Sequence, residues 1–271
     1  MRIGQSGATP WKALGLQTAI QGIIKNARYV LDRAPGYATF HCFDMFSGTG
    51  LNNYGDGSAV ILANSIACEY QGIGKRKVNM VFVEKSKNNY EQLLINTKNI
   101  EANKIKADCT NIIYEIPSII KDKYLENNKY AVGVIILDPN GLLNQKQWDA
   151  LKFVATECPR IDIILNWNIS AFHRCRGVVA IKDFEKFDHM RMTDFIKYMN
   201  KKYSYVRNHS NADHTSWTIL VLSNIPIGGI KEAGFNSVRT KDGKKTIQFS
   251  DADKGFRNPI QLPLFKGVPC N

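Results

Sequence analysis

The stretch His41 to Asn52, HCFDMFSGTGLN, decides how the chain is read. Its apolar run carries one acid, Asp44, and breaks three residues later into the small-residue loop Ser47-Gly48-Thr49-Gly50. A buried strand that ends in such a loop is how a doubly wound α/β sheet opens its ligand crevice. Glycines there permit φ > 0 and let a ligand approach the backbone closely. A G-x-G pair alone serves many ligands and recurs by chance, so its meaning depends on the residues around it.

Upstream, Thr9 and Pro10 read as the N-cap and first position of a helix. Apolar residues at helical spacing, among them Leu14, Ala19, Ile20, Ile23, Ile24, Ala27 and Leu31, carry it to Ala34-Pro35-Gly36. This helix is expected across the sheet edge or beside the ligand mouth. Thr39 to Phe46 is the first strand. Downstream lies a polar, Gly-rich insertion, NNYGDGS, after which Ser58 caps a helix through Ile66. The delayed helix departs from the G-x-G-x-x-G fingerprint and argues against a nicotinamide dinucleotide.

Further strands are predicted over Val78 to Val83, ending in Glu84, and over Lys104 to Ala107, ending in Asp108-Cys109. Tyr130 to Leu137 follows, ending in Asp138-Pro139-Asn140-Gly141, and Ile161 to Leu165 ends in Asn166-Trp167-Asn168. Helices are predicted over Lys87 to Ile100, Ile112 to Lys123 and Gln145 to Thr156. Strands alternating with helices imply a mostly parallel sheet covered on both faces. Phe184 to Tyr203 reads as a helix with a basic face, and Ser204 to Asn208 and Trp217 to Ser223 as the final strands. Asp242-Gly243, a type I′ signal, reads as the turn of a β-hairpin over Phe235 to Phe249. The expected fold is therefore α/β and Rossmann-like, a twisted, mostly parallel sheet of about seven strands with helices on both faces. A C-terminal β-hairpin and tail complete it. The segments are 1–37 (helical), 38–230 (the main domain) and 231–271 (hairpin and tail).

The 271 residues, 44% hydrophobic, suffice for one large α/β domain with an appendage. Thirty-six Lys and Arg against 24 Asp and Glu leave a net charge of +12, which suits a polyanionic partner, since each neutralised phosphate releases counterions. The six cysteines form no C-x-x-C pair, which disfavours a zinc ribbon, and most sit in apolar runs as free core thiols do. A reducing cytoplasm is the expected compartment. The N-terminus lacks the apolar core of a signal peptide, and no apolar run approaches the ~20 residues that span a bilayer.

Ligands of open α/β sheets sit at the carboxyl ends of the strands, and four successive strands here end in acids. Glu84 is placed to accept both hydroxyls of a ribose, and Asp108 to accept from an adenine amino group with Cys109 bordering the ring. Asp44 can anchor the loop or reach a ligand amine through water. Asp138-Pro139-Asn140-Gly141 reads either as a tight turn or as a site whose carboxylate and carbonyl hold an amino group in position. Trp167 and Phe172 offer aromatic faces and Arg174 and Arg176 offer cations, as a flipped base and its backbone require. The alternative is a core tryptophan with surface arginines. His173, His209 and His214 lack a metal-ligand pattern, so no metal is expected.

These motifs, FDMFSGTG at 43–50, FVEK at 82–85, ADC at 107–109 and ILDPNG at 136–141, resemble those of class I S-adenosylmethionine-dependent methyltransferases, over roughly Ala38 to Asn224. Within that class the chain looks most like the three-Cys-motif partner group of bacterial and phage genomes. The resemblance implies S-adenosylmethionine as cofactor, held by Asp44, Phe46, Ser47, Gly48, Thr49, Gly50, Glu84, Lys85, Asp108 and Cys109. It places catalysis at Asp138, Pro139 and Asn140. Amino-group DNA methyltransferases follow Asp-Pro with a second proline and an aromatic, whereas this chain has Asn140-Gly141. Neither a Pro-Cys nucleophile suited to cytosine C5 chemistry nor a matching Glu-Asn-Val run is present, the pair Pro269-Cys270 lying in the tail.

In the tail, Gln261-Leu262-Pro263-Leu264-Phe265 resembles the peptide by which bacterial proteins dock on the DNA polymerase sliding clamp, with Gln261, Leu262, Leu264 and Phe265 as anchors. The expectation is methyl transfer to nucleic acid, to DNA at adenine N6 or cytosine N4. Three other readings stand beside it: a non-catalytic methyltransferase-fold partner in a phage or defence system, an RNA methyltransferase and a small-molecule methyltransferase.

Overall fold

The computed structural model describes residues 9–31, 39–52, 55–70, 77–120, 131–139, 141–169, 191–210 and 216–251. Five parallel strands build the centre: β1 (Thr39–Asp44), β4 (Lys77–Glu84), β5 (Asn103–Lys106), β6 (Val132–Leu137) and β7 (Ile161–Trp167). β8 (Tyr203–Ser210), β9 (Ser216–Ser223) and the short β10 (Asn236–Ser237) complete an eight-stranded sheet in the order β10-β8-β9-β7-β6-β1-β4-β5, and β2 (Leu51–Asn52) and β3 (Gly55–Asp56) form a separate two-stranded ladder. β9 runs antiparallel to both β7 and β8. The predicted α/β class, the mostly parallel sheet and its two covered faces are all present. The C-terminal antiparallel hairpin of the sheet is β8–β9.

The chain leaves β1 for β4 and β5 on one side, then crosses back to β6 and β7 on the other. Strand order therefore reverses between β1 and β6, and the carboxyl ends of these two strands flank the crevice that such a reversal creates. Both strands are buried on both faces, which explains their unbroken apolar runs. Alternate residues serve opposite layers, Phe40, Cys42, Val134 and Ile136 on one side and Phe43, Ile135 and Leu137 on the other.

One layer holds α1 (Thr9–Leu31), α2 (Ser58–Tyr70) and α3 (Lys87–Asn96). The other holds α4 (Cys109–Ile120), α5 (Gln145–Glu157) and α6 (Met192–Met199). α1 buries Ile20, Ile23 and Ile24 and contacts α2, β6 and β9, so it lies across the face of the sheet rather than its edge. α5 begins with a full capping box, Asn144 with Gln147.

Residues 235–249 do not form the predicted hairpin. After β10 the chain enters α7 (Lys241–Asp251), with Asp242-Gly243 in its first turn. Gly243 N donates to Thr240 Oγ1 (3.2 Å), and Gly243, Thr246 and Ser250 recur at helical spacing on the buried side. A Cβ on Gly243 would lie 2.0 Å from Ser237 O, so the glycine serves a close helix approach and not a turn. Asp251 then caps α6, accepting from Met192 N (2.8 Å) and Thr193 N (3.2 Å). No described helix is long and apolar enough to cross a membrane.

Candidate active site

The glycine loop turns away from β1 with Gly48 at φ +58° and Gly50 at φ +76°. A Cβ on Gly48 would meet no atom within 4 Å, so this part of the loop faces open space. The loop is held from three sides. Ser47 N donates to Val83 O (3.0 Å), Asn96 Nδ2 to Thr49 O (2.8 Å), and Gly48 N to Glu84 Oε2 (2.9 Å). Glu84 also accepts from Ser86 N through Oε1 (2.7 Å). A carboxylate has about four lone-pair positions. Two serve these amides, which leaves capacity for the ribose hydroxyls expected there.

Asp44 is 0% exposed. Its Oδ2 accepts from Ser58 Oγ at 2.6 Å and its Oδ1 from Phe46 N at 3.3 Å. The insertion read from sequence as a delay explains the first contact. Leu51–Asn52 pairs with Gly55–Asp56 as a two-residue ladder, and Gly57 N bonds back to Gly50 O (2.9 Å), which delivers Ser58 to Asp44. Burial pushes the Asp44 carboxyl up to about 7, opposed by the bonds from Ser58 and Phe46 and assisted by the nearby Asp138.

This value fixes a sign. A folded pKa above the unfolded ~3.9 means the native state binds more protons in between, so stability falls as pH rises from about 4 to about 7. Asp44→Asn removes this dependence. The stability of wild type minus that of the variant should fall by on the order of 2–4 kcal/mol between pH 4 and pH 8, as measured by urea unfolding at each pH. Asp162, also raised by burial, titrates in both proteins and cancels in the difference. Parallel pH profiles would contradict the assignment.

Asp108 ends the next strand over. Lys85 Nζ donates to its Oδ2 (2.9 Å) and Thr110 N to its Oδ1 (3.0 Å), and these bonds hold its carboxyl down to about 2. Lys85, assigned to the cofactor by resemblance, thus pairs with Asp108. Cys109 is buried, its Sγ accepting from Gln147 Nε2 (3.2 Å), and burial raises its thiol. Phe46 is half-buried against the core layer.

Across the strand-order reversal, Asp138 follows β6. Asn166, at the end of β7, donates through Nδ2 to Asp138 Oδ1 at 2.7 Å. Pro139, Gly141, Leu143, Trp148, Leu165 and Asn166 line a small cleft beside this pair. Trp167 also borders the cleft, but it is 4% exposed and its ring packs on Phe195 at 6.1 Å. The core role of Trp167 accounts for most of its surface. Asn140, Phe172, His173, Arg174 and Arg176 lie outside the described residues, as do Gln261, Leu262, Leu264 and Phe265 of the tail. Trp148, Ser58 and the Asp138–Asn166 pairing had no sequence signal. Trp148 reads as a core position of an amphipathic helix, and Ser58 as a helix cap. Among the described residues no cluster of His, Cys, Asp and Glu could hold a metal ion.

No protein-family profile matches the sequence, and no curated protein does. Solved structures do resemble the chain in backbone course. A Legionella pneumophila protein of the DUF519 family is 14% identical, with a TM-score of 0.47 over 80% of this chain and 88% of that one. The METTL16 methyltransferase domain is 6% identical, with a TM-score of 0.39 over 75% and 66% of the two chains. The plantazolicin methyltransferase BpumL, solved with a substrate analogue and S-adenosylhomocysteine, is 12% identical, with a TM-score of 0.39 over 78% and 86%.

Proposed function

We propose that this chain is an S-adenosylmethionine-dependent methyltransferase that acts on nucleic acid, on DNA at a base amino group. The observation that carries the reading is the pair of facing strand ends. On one side is an open glycine loop braced by Glu84, and on the other a half-buried Asp138 beside a cleft. The open space before Gly48 and the spare acceptor capacity of Glu84 fit an adenosyl group with its ribose. Gly48 and Glu84 would hold it, with Asp44 and Ser47 bracing the loop beneath and Asp108 and Cys109 toward the adenine. When bound, S-adenosylmethionine supplies a methyl group on a positively charged sulfur. Asp138 would accept a hydrogen bond from the target amine and hold its lone pair in position. Asp138 would also take the proton that the amine loses on methylation and pass it to water.

The net charge of +12 supports a polyanionic substrate. The tail sequence QLPLF supports DNA, as a peptide for the bacterial sliding clamp, in the cytoplasm of a bacterial or phage-infected cell. The test is incubation with S-adenosylmethionine labelled in the methyl group and, separately, single-stranded DNA, duplex DNA, RNA and protein. Label is expected in DNA, on adenine N6 or cytosine N4 after nuclease digestion. Label in RNA or protein alone would overturn the DNA assignment, and label in none would overturn the enzyme.

A further inference from the structure

Arg207, on β8, is a half-buried cation whose charge nothing nearby balances. Among the described residues no carboxylate pairs with it. Its guanidinium lies instead over the Phe235 ring, 5.9 Å from the ring centre. Burial draws its pKa down, and no neighbouring acid among the described residues opposes that shift. A cation taken partly out of water without a partner is costly, so one held in a fixed place suits an anion that arrives with a ligand.

The fold holds the side chain there. α1 passes over it at Gly15, where a Cβ would lie 3.0 Å from Arg207 Nη1 and 2.9 Å from Ile219 Cδ1. Glycine inside a helix costs about 1 kcal/mol against alanine, and at this position it gives the guanidinium its room. The height of Arg207 in the sheet is that of the candidate site. Ile219 of β9 pairs with Asn166 on one side and with Arg207 on the other, and Asn166 bonds to Asp138. Ile164, Tyr205 and Ile219 share the core layer that α1 covers, so Asn166 and Arg207, each two residues further along its strand, stand on that same face. Counted in strand spacings across the sheet, Arg207 stands about 14 Å from Asp138 and about 19 Å from Asp44. The second distance sets it apart from the glycine loop. The first is a span that the sugar and phosphates flanking a nucleotide at Asp138 can cover.

We propose that Arg207 binds a backbone phosphate of the nucleic-acid substrate, beside the nucleotide whose base is presented to Asp138. This rests on the nucleic-acid reading above and adds a place where the strand is held. A guanidinium offers its N–H donors in a planar fork that fits two phosphate oxygens. Packing between α1 and Phe235 leaves the side chain little rotamer freedom to lose on binding. Such a contact carries no sequence information and fixes the register of the strand on the protein.

The test reads binding and not catalysis. The full chain is titrated into a fluorescent single-stranded DNA oligonucleotide, and anisotropy is followed over a series of salt concentrations. Arg207→Gln should weaken binding about tenfold and lower the slope of log affinity against log salt by about 0.7, the share of one phosphate on a single strand. Arg207→Lys keeps the charge and should restore most of that slope. Lys106→Gln, on the edge strand β5 at the far side of the sheet, removes the same charge and should leave the slope near that of wild type. In wild-type protein labelled with nitrogen-15, the Arg207 Nε–H signal is assigned by its loss in Arg207→Lys. It should move with the oligonucleotide and stay with the methylphosphonate analogue, whose backbone is uncharged. Equal slopes for Arg207→Gln and Lys106→Gln, equal shifts with the two oligonucleotides, or an equal shift with inorganic phosphate would overturn the proposal and leave the nucleic-acid reading standing. Wild-type protein that binds no oligonucleotide would overturn both.

Discussion

On the proposed function, Asp138→Ala should lower the rate of methyl transfer at least about a hundredfold while the protein stays folded and still binds S-adenosylhomocysteine. Asp138 is the acid that follows β6, and it stands apart from the loop contacts that brace Gly48. Removing it takes away the acceptor for the target amine and leaves Asn166 Nδ2 without the carboxylate that orients it. The loss should fall on kcat more than on KM, because the contact with the amine is worth most as the nitrogen gains the methyl group. Asp138→Asn separates two roles. It keeps an acceptor of the same shape and gives up the charge, so residual turnover well above that of the alanine variant would assign Asp138 to holding the amine. Equal loss in both would assign it to taking the proton. Wild-type turnover in Asp138→Ala would remove Asp138 from the chemistry.

The second large effect lies beneath the site. Gly133→Ala should lower the thermal midpoint by about 5–15 °C, on the basis of ~2–4 °C per kcal/mol for a chain of this size and an overpacking cost at or above the usual ~1–3 kcal/mol. A Cβ at Gly133 would lie 2.0 Å from His41 O and 2.8 Å from His41 C, both backbone atoms of the neighbouring strand. β1 and β6 are paired here, His41 with Gly133, and neither can retreat, since Phe40, Cys42, Phe43, Val134 and Ile135 are all 0% exposed. The shift would travel along these strands to Asp44 and Asp138, so the glycine also sets the spacing of the two acids. Gly228→Ala is the control. A Cβ there meets nothing within 4 Å, and its midpoint should stay near wild type. A calorimetric midpoint for Gly133→Ala within 2 °C of the control, roughly the effect of ~0.5 kcal/mol, would contradict this account.

The parallel core was legible because strands buried on both faces leave a simple trace, an apolar run that stops at a polar residue. VGVIIL before Asp138 and VNMVFV before Glu84 are such traces, and the sheet carries both. The register that makes a site of them was not legible, because it depends on partners far apart in sequence. Ser58 reaches Asp44 only after the 51–56 ladder closes, and Asn166 reaches Asp138 only once β6 and β7 lie side by side. The misread helix α7 has a local cause. Asp-Gly has the composition of a hairpin turn, and the sign that it opens a helix is the proximity of Gly243 to Ser237, a contact no window of sequence displays. Likewise, Trp148 has the spacing of a core residue, and an unmatched indole N–H has no trace in sequence at all.

The cap that Asp251 places on α6 ties the last described helix to the wall of the cleft. Its carboxylate closes the first two amides of α6, and α6 in turn carries Phe195 against Trp148 and Trp167. Substituting Asp251 would therefore open these amides and loosen the side of the cleft that Phe195 supports through Trp148.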